Sequence, residues 1–213
     1  MNTIKWILAS SIVLLTACAT SNITSSWIAP QTTLQHFNKI LVLGLIRESD
    51  RNIQVSMEKH LMGDLRNLGY FALSSYEEYG PKAFNNMNED EAINKLKNSG
   101  IDAVLTIVLL DKEKERLYTG DRIYYSPYAG YYSRFWNYRY TLYHRIVEPG
   151  YYVSTKYFWE SNLYDMHSQQ LIYSVQTESF DPGNAESLGH EYGQLIVNNM
   201  LSKNVLAKQL SLP

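Results

Sequence analysis

The residues that could perform catalysis are few and scattered along the sequence. Ser49 and Asp50 lie in a polar loop directly after an apolar run, Lys39 to Leu45. If that run is a buried strand, the loop stands at its carboxyl end, where α/β sheets often bind ligands, and the pair could serve a hydrolase. A solvated loop that caps the next helix is the preferred alternative. No Gly-x-Ser-x-Gly, phosphate-loop or HExxH motif occurs, and the histidines lack ligand spacing. The sequence therefore predicts no enzyme, no cofactor and no metal.

The single cysteine, Cys18, has a different chemistry available to it. Residues 1–17, MNTIKWILASSIVLLTA, combine a positive charge at Lys5 with a short apolar run, which is typical of a secretory leader. The run is about 12 residues, too short to span a bilayer comfortably. It ends in Leu15-Thr16-Ala17-Cys18, which matches the bacterial lipobox, where the thiol receives diacylglycerol and the leader is cleaved before it. The sequence predicts that Cys18 carries lipid; a signal peptide with an incidental cysteine is the alternative.

The residues after Cys18 indicate where the protein goes and how it is attached. Residues 18–36 are mostly small and polar, and we expect a tether that joins the lipidated cysteine to the domain. Ala19 stands where an aspartate would retain an enterobacterial lipoprotein at the inner membrane. By that resemblance we expect the outer membrane, on its periplasmic side. With only one cysteine, an intrachain disulfide is excluded.

A third group of candidate residues lies in a tyrosine-rich insert, residues 111–151. Its spacing follows neither a strand nor a helix period, and such long connections are usually functional or disordered. Three interpretations stay open: a loosely packed loop, a surface that binds an envelope protein or cell-wall sugar, and a membrane-facing aromatic hairpin. The candidate partner-binding residues are Tyr124, Tyr125, Tyr128, Tyr131, Tyr132, Arg134, Trp136, Tyr138, Arg139 and Tyr140.

The elements that position these residues follow from the spacing of apolar side chains. Continuous apolar runs predict buried strands, stripes at helical spacing predict helices, and strict alternation predicts a hairpin. The sequence predicts an α/β fold: a mixed sheet built from β-α-β-α-β, a long Tyr-rich insert, a β-hairpin and a C-terminal helix. The predicted elements are strand 39–45, helix 53–68, strand 70–74, a helix from 88, strand 103–110, strands 153–163 and 171–175, and helix 185–206.

Length and charge limit the class of protein. The 213 residues suit one domain, placed at 37–206 and followed by a tail, 207–213. The formal net charge is −2, and this weak field predicts no nucleic-acid partner.

The order of these elements resembles that of a group of envelope lipoproteins whose domain is like the amino-terminal domain of TolB. The curli secretion lipoprotein and the lipoprotein activators of penicillin-binding proteins have related domains. The resemblance rests on LTAC, FNKILVLGL, LRNLGYFAL, GIDAVLTIVLL and the hairpin WESNLYDMHSQQLIYSVQTES. It implies a protein that binds or assembles and is not an enzyme, and it transfers no functional residue.

We therefore expect a lipid-anchored binding or assembly module of the cell envelope, with the membrane as one partner through Cys18. A homo-oligomeric secretion component is the first alternative, and an unrecognised envelope hydrolase that uses Ser49 and Asp50 is the second.

Overall fold

The computed structural model describes residues 20–209, apart from 31, 33, 83, 85–86 and 128–142. It confirms the α/β class, with two β-α-β crossovers, a hairpin and a C-terminal helix. The elements are β1 (Ser21–Ile28), β2 (Lys39–Leu45), α1 (Arg51–Asn67), β3 (Phe71–Ser74), α2 (Ser75–Tyr79), α3 (Glu89–Asn98), β4 (Ala103–Pro127), β5 (Tyr143–Asp165), β6 (Gln170–Phe180) and α4 (Ala185–Ser202).

One mixed sheet of six strands organises the described residues, in the order β1-β6-β5-β4-β2-β3. β2 pairs in parallel with β3 and β4, whereas every other pair is antiparallel. The chain leaves β2 towards β3 on one side and returns to β4 on the other. Such a reversal opens a crevice at the carboxyl end of the strand, which in this fold is the end of β2.

Side chains that alternate along the strands form two apolar clusters, one on each face of the sheet. Along β2, Ile40 and Val42 belong to the larger cluster, while Leu41 belongs to the smaller one. The larger cluster lies under α1 and α4 and includes Trp159, which is completely buried. The smaller cluster lies under α3. Helices therefore cover both faces of the parallel part of the sheet, as predicted for a strand buried on both sides.

Helices α1 and α4 pack side by side because α4 presents glycines to α1. A Cβ added at Gly189 would lie 2.8 Å from the backbone oxygen of Ser56, and one at Gly193 would collide with Oδ2 of Asp64. Only a residue without a side chain permits this approach. Helix α4 ends at Ser202 and not at the predicted residue 206. The reason is that Asn204 takes a left-handed φ of 57°, which stops the helix while Val205 stays buried.

The predicted polar tether is partly a strand. Residues 21–28 form β1 at the edge of the sheet, antiparallel to β6. Ser21 is buried and its hydroxyl lies 2.7 Å from that of Ser179, while most of the strand is exposed. Because pairing here satisfies backbone groups on an edge and buries few apolar side chains, the polar sequence gave no strand pattern.

Most of the predicted insert is a two-stranded antiparallel extension of the sheet. β4 and β5 stay paired from Ala103 and Asp165 as far as Pro127 and Tyr143. β2 accompanies β4 only to Val108, and β6 accompanies β5 only from Lys156 onwards. The described residues 111–127 and 143–155 therefore form a free ribbon, roughly 50 Å long at the usual rise of a strand. Irregularities in pairing near residues 110 and 119 shift the alternation, which explains why no clean period was visible.

Candidate functional site

The loop with Ser49 and Asp50 lies at the carboxyl end of β2, as predicted. Oδ1 of Asp50 lies 2.5 Å from Nζ of Lys112, and the hydroxyl of Ser49 donates to Oδ2 of Asp50 at 3.1 Å. The hydrogen bond from Lys112 holds the pKa of Asp50 below its usual value. The aspartate is therefore an ionised partner of a lysine and a weak base at neutral pH. It occupies the N-cap position of α1 but makes no side-chain cap, contrary to the predicted capping role.

A buried glutamate that the sequence analysis missed fills the crevice beside this loop. Glu58 is completely buried on α1, and its Oε1 accepts from the backbone N–H of Gly44 at 2.8 Å. Its Oε2 accepts from the hydroxyl of Ser74 at 2.6 Å and from the backbone N–H of Tyr76 at 2.8 Å. In a nucleotide-binding sheet, a phosphate would receive donors of this kind. In this chain the side-chain carboxylate of Glu58 accepts these hydrogen bonds instead.

A solvent-accessible cavity of about 310 Å³ adjoins this network. Its lining includes Gly44, Arg51, Gln54 and Lys82. Arg51 is engaged by Glu48 at 3.2 Å and lies over the ring of Tyr76. Arg51, Gln54 and the backbone of Gly44 are thus engaged within the fold itself.

Two histidines meet between α1 and α4. The rings of His60 and His190 lie 5.5 Å apart, and Nε2 of His60 lies 2.8 Å from Oε1 of Glu186. Burial raises the pKa of the neighbouring Asp64. Within the described ranges, no group of three or more His, Cys, Asp or Glu residues is arranged to hold a metal ion.

The base of the ribbon is fixed by the loop between β6 and α4. The carboxylate of Asp181 accepts from the backbone N–H of Thr155. It also accepts from the hydroxyls of Tyr152 and Ser154, both at 2.9 Å. The Thr155 hydrogen bond is the main cause of a lowered pKa at Asp181. Farther along the ribbon from these contacts, Tyr118 is 59% exposed and Tyr151 is 54% exposed.

Two of the ten candidate partner-binding residues, Tyr124 and Tyr125, fall on the outer half of the ribbon. The backbones of Tyr124 and Tyr125 lie in β4, opposite Ile146 and Arg145. Tyr128, Tyr131, Tyr132, Arg134, Trp136, Tyr138, Arg139 and Tyr140 lie outside the described residues.

The N-terminal end of the described chain is docked on the domain. The backbone N–H and the hydroxyl of Thr20 donate to Oε2 of Glu191 at 3.0 and 2.6 Å. The backbone oxygen of Thr20 accepts from the N–H of Phe180 at 2.8 Å. Residues 1–19, including the predicted leader and Cys18, lie outside the described residues. In the part of the chain that is described, no helix has both the length and the apolar character to cross a membrane.

Comparison with known proteins gives loose structural likenesses. No family model matches the chain, and no curated protein matches it. Among solved structures, it resembles the PelC dodecamer from Paraburkholderia phytofirmans at 10% identity and a TM-score of 0.44, covering 87% of this chain and 98% of that one. It resembles lipoprotein GNA1162 from Neisseria meningitidis at 14% identity and a TM-score of 0.43, covering 77% and 98%. Scores this low do not identify a function.

Proposed function

We propose that this chain is a lipid-anchored, non-enzymatic binding or assembly module of the bacterial cell envelope, held by Cys18 on the periplasmic side of the outer membrane. The observation that carries the proposal is the LTAC motif at the end of an apolar leader, followed two residues later by the docked Thr20. Two Cα steps reach roughly 7 Å. The lipid therefore holds the folded domain close against the membrane, with almost no free tether.

The chemistry of the described crevice supports a non-enzymatic role. Asp50, the one carboxylate in the predicted hydrolase pair, is neutralised by Lys112. Glu58 occupies the donors at the carboxyl end of β2. Both groups stabilise the fold, so neither supplies a nucleophile or base to a substrate.

The ribbon supports a role in binding. A two-stranded ribbon is marginal in water by itself, and free strand edges pair readily with other chains. Its outer half carries Tyr124 and Tyr125 and continues into residues 128–142, where tyrosine, tryptophan and arginine are concentrated. These residue types carry most of the binding energy in protein interfaces. The expected partner is an envelope protein or cell-wall polymer near the anchoring membrane.

A homo-oligomer is the second candidate, and the same free edges favour it. Copies anchored in one membrane could align their ribbons edge to edge, because each ribbon leaves one unpaired edge on β4 and another on β5 over the described residues. Such pairing would bury backbone groups that face water in a single copy.

Mass spectrometry of the native polypeptide tests the anchor. The expected product begins at Cys18 and carries diacylglycerol and an amide-linked acyl chain. A Cys18→Ser variant should lose the added mass and leave the membrane fraction. An intact leader, or a cleaved amino end without fatty acid, would overturn the proposal.

Photo-crosslinking tests the role of the ribbon in binding. A photoreactive amino acid placed at Tyr125 or Trp136 should crosslink to another envelope component in living cells. The same group at the exposed Lys97 on α3 is the control and should not. A crosslink between two copies of this chain would favour the homo-oligomer. Equal labelling from the ribbon and from Lys97 would reject the ribbon as the contact surface.

A further inference from the structure

Along β4, the inner half of the ribbon places basic and acidic side chains on opposite faces. Residues 111–118 read DKEKERLY, and between the pairing irregularities they oppose residues 158–151 one for one. Successive side chains of a strand point to opposite faces, and directly opposed residues share a face. Lys112, Lys114 and Arg116 therefore share one face, which we call the basic face. Glu113 and Glu115 lie on the other face, together with Lys156, which stands opposite Glu113 and is paired with Glu178 at 2.9 Å.

Aromatic and apolar side chains continue the basic face towards the ribbon tip. Tyr118 follows Arg116 on it, and Tyr151 and Val153 stand opposite them on β5. The rings of Tyr118 and Tyr151 lie 5.8 Å apart, which confirms that these two side chains share a face. Val153 is 49% exposed. Lysine, arginine and tyrosine together are typical of protein segments that lie at a lipid headgroup layer.

The basic face and the start of β1, three residues after the predicted anchor, lie at the same end of the sheet. β1 begins where β6 ends, since Ser21 pairs with Ser179, and the ribbon starts there because Phe180 pairs with Lys156. Three strand spacings, about 15 Å, separate β1 from β4.

The basic face and Thr20 also lie on the side of the sheet that α4 covers. Tyr157, the base of the basic face, stacks on Trp159, which contacts Tyr192 of α4. Thr20 is bound to Glu191 of the same helix. Thr20 and the basic face therefore lie on the same side of the sheet.

We propose that the basic face of the ribbon docks on the anionic phospholipid headgroups of the membrane that holds Cys18. This proposal rests on the lipid anchor proposed above. Lys114 and Arg116 contact phosphates, whereas Lys112 is held by Asp50. Tyr118 and Tyr151 insert their rings at the headgroup level. The domain is thereby oriented, and the outer half of the ribbon is carried along the membrane surface. The ribbon lies on the bilayer and not through it, because its unpaired edges need water as a hydrogen-bond partner.

A fluorescent label on the acylated full-length protein tests the contact. Acylation consumes the thiol of Cys18, the only native cysteine, so Val153→Cys provides one free thiol for a nitrobenzoxadiazole label. In vesicles of phosphatidylethanolamine and phosphatidylglycerol, we expect its emission to shift to shorter wavelength and to be quenched by spin-labelled lipid. The control label is Phe71→Cys, which is 57% exposed at the far end of the sheet and should report water.

Charge substitutions on the two faces provide a matched comparison. Lys114→Gln with Arg116→Gln should abolish the shift of the Val153 label, as should phosphatidylcholine vesicles or high salt. Glu113→Gln with Glu115→Gln, on the opposite face, should leave the shift intact. If the Val153 variant loses its native circular dichroism, Tyr118→Cys carries the label in its place.

The results of these measurements distinguish a failure of ribbon docking from a failure of the lipid anchor. Acylated protein whose labels at 153 and 71 emit alike would overturn the docking of the ribbon and leave the anchor standing. Protein without the acyl mass would overturn the anchor itself. A shift that appears without vesicles and grows with protein concentration would assign the basic face to a second copy and overturn lipid docking.

Discussion

Thr20 donates two hydrogen bonds to a single carboxylate oxygen of Glu191, at 3.0 Å from its backbone N–H and at 2.6 Å from its hydroxyl. This contact joins the start of β1 to α4 and so fixes the distance between the predicted lipid and the domain. Glu191→Ala should release it, and hydrogen exchange at residues 20–22 should become faster while the core is unchanged. Gln194→Ala, an exposed change on the same helix, is the control. Unchanged exchange in both variants would show that β1 pairing alone holds Thr20.

The crossing of α1 and α4 predicts opposite effects for two glycine substitutions. Gly189→Ala would force a Cβ against the backbone of Ser56 and should lower the free energy of unfolding by about 1–3 kcal/mol. Gly63→Ala, in a position on α1 where a Cβ meets nothing within 4 Å, should raise it by about 0.5–1 kcal/mol. Urea denaturation of both variants checks the prediction, and equal effects would contradict the close packing.

The ion pair between Asp50 and Lys112 predicts a pH dependence of stability. The pKa of Asp50 is lowered in the folded protein, chiefly by the hydrogen bond from Lys112. The ionised Asp50 therefore stabilises the fold fully at pH values above its pKa in the unfolded chain, about 3.9. This stabilisation is lost as the pH falls through the lower pKa of Asp50 in the folded protein. Asp50→Asn should cost about 1 kcal/mol at neutral pH and progressively less in acid. Denaturation curves at several pH values measure this, with Glu113→Gln as the exposed control; a constant difference would contradict it.

The buried carboxylate of Glu58 predicts a large loss on truncation. Glu58→Ala would leave the N–H groups of Gly44 and Tyr76 and the hydroxyl of Ser74 buried without their acceptor. We expect a loss of about 3 kcal/mol or more in the free energy of unfolding. Lys59→Ala, at the next position on the exposed side of α1, should change stability little. A small effect at Glu58 would mean that water enters the crevice and replaces the carboxylate.

Features with a strong local signal could be predicted from the sequence. The continuous apolar runs gave β2 and the inner part of β4, because burial on both faces demands apolar residues throughout. The sequence also predicted a helix from residue 88, and in the structure Asn88 and Glu91 form a complete capping box at the start of α3. The predicted hairpin was also correct, since β5 ends at Asp165 and β6 begins at Gln170.

Features that depend on residues distant in the sequence could not be predicted from it. Glu58 lies on a helix where a glutamate usually faces solvent, and its donors come from β2, Ser74 and α2. β1 has too few buried side chains to show alternation. The ribbon residues whose burial is described are mostly exposed, and the irregularities near residues 110 and 119 change which face each residue occupies. In the candidate site, the residue types were visible in the sequence, but their separation into two charged faces depends on the pairing register.

The pairing of the first strand with the last constrains the order in which the chain folds. Ser21 and Ser179 are 158 positions apart, so β1 cannot find its place until β6 has emerged and joined β5. Until then β1 lacks its partner strand. If the chain is the lipoprotein proposed above, we expect the modifying and cleaving enzymes to act on the segment next to Cys18 before folding draws Thr20 against α4.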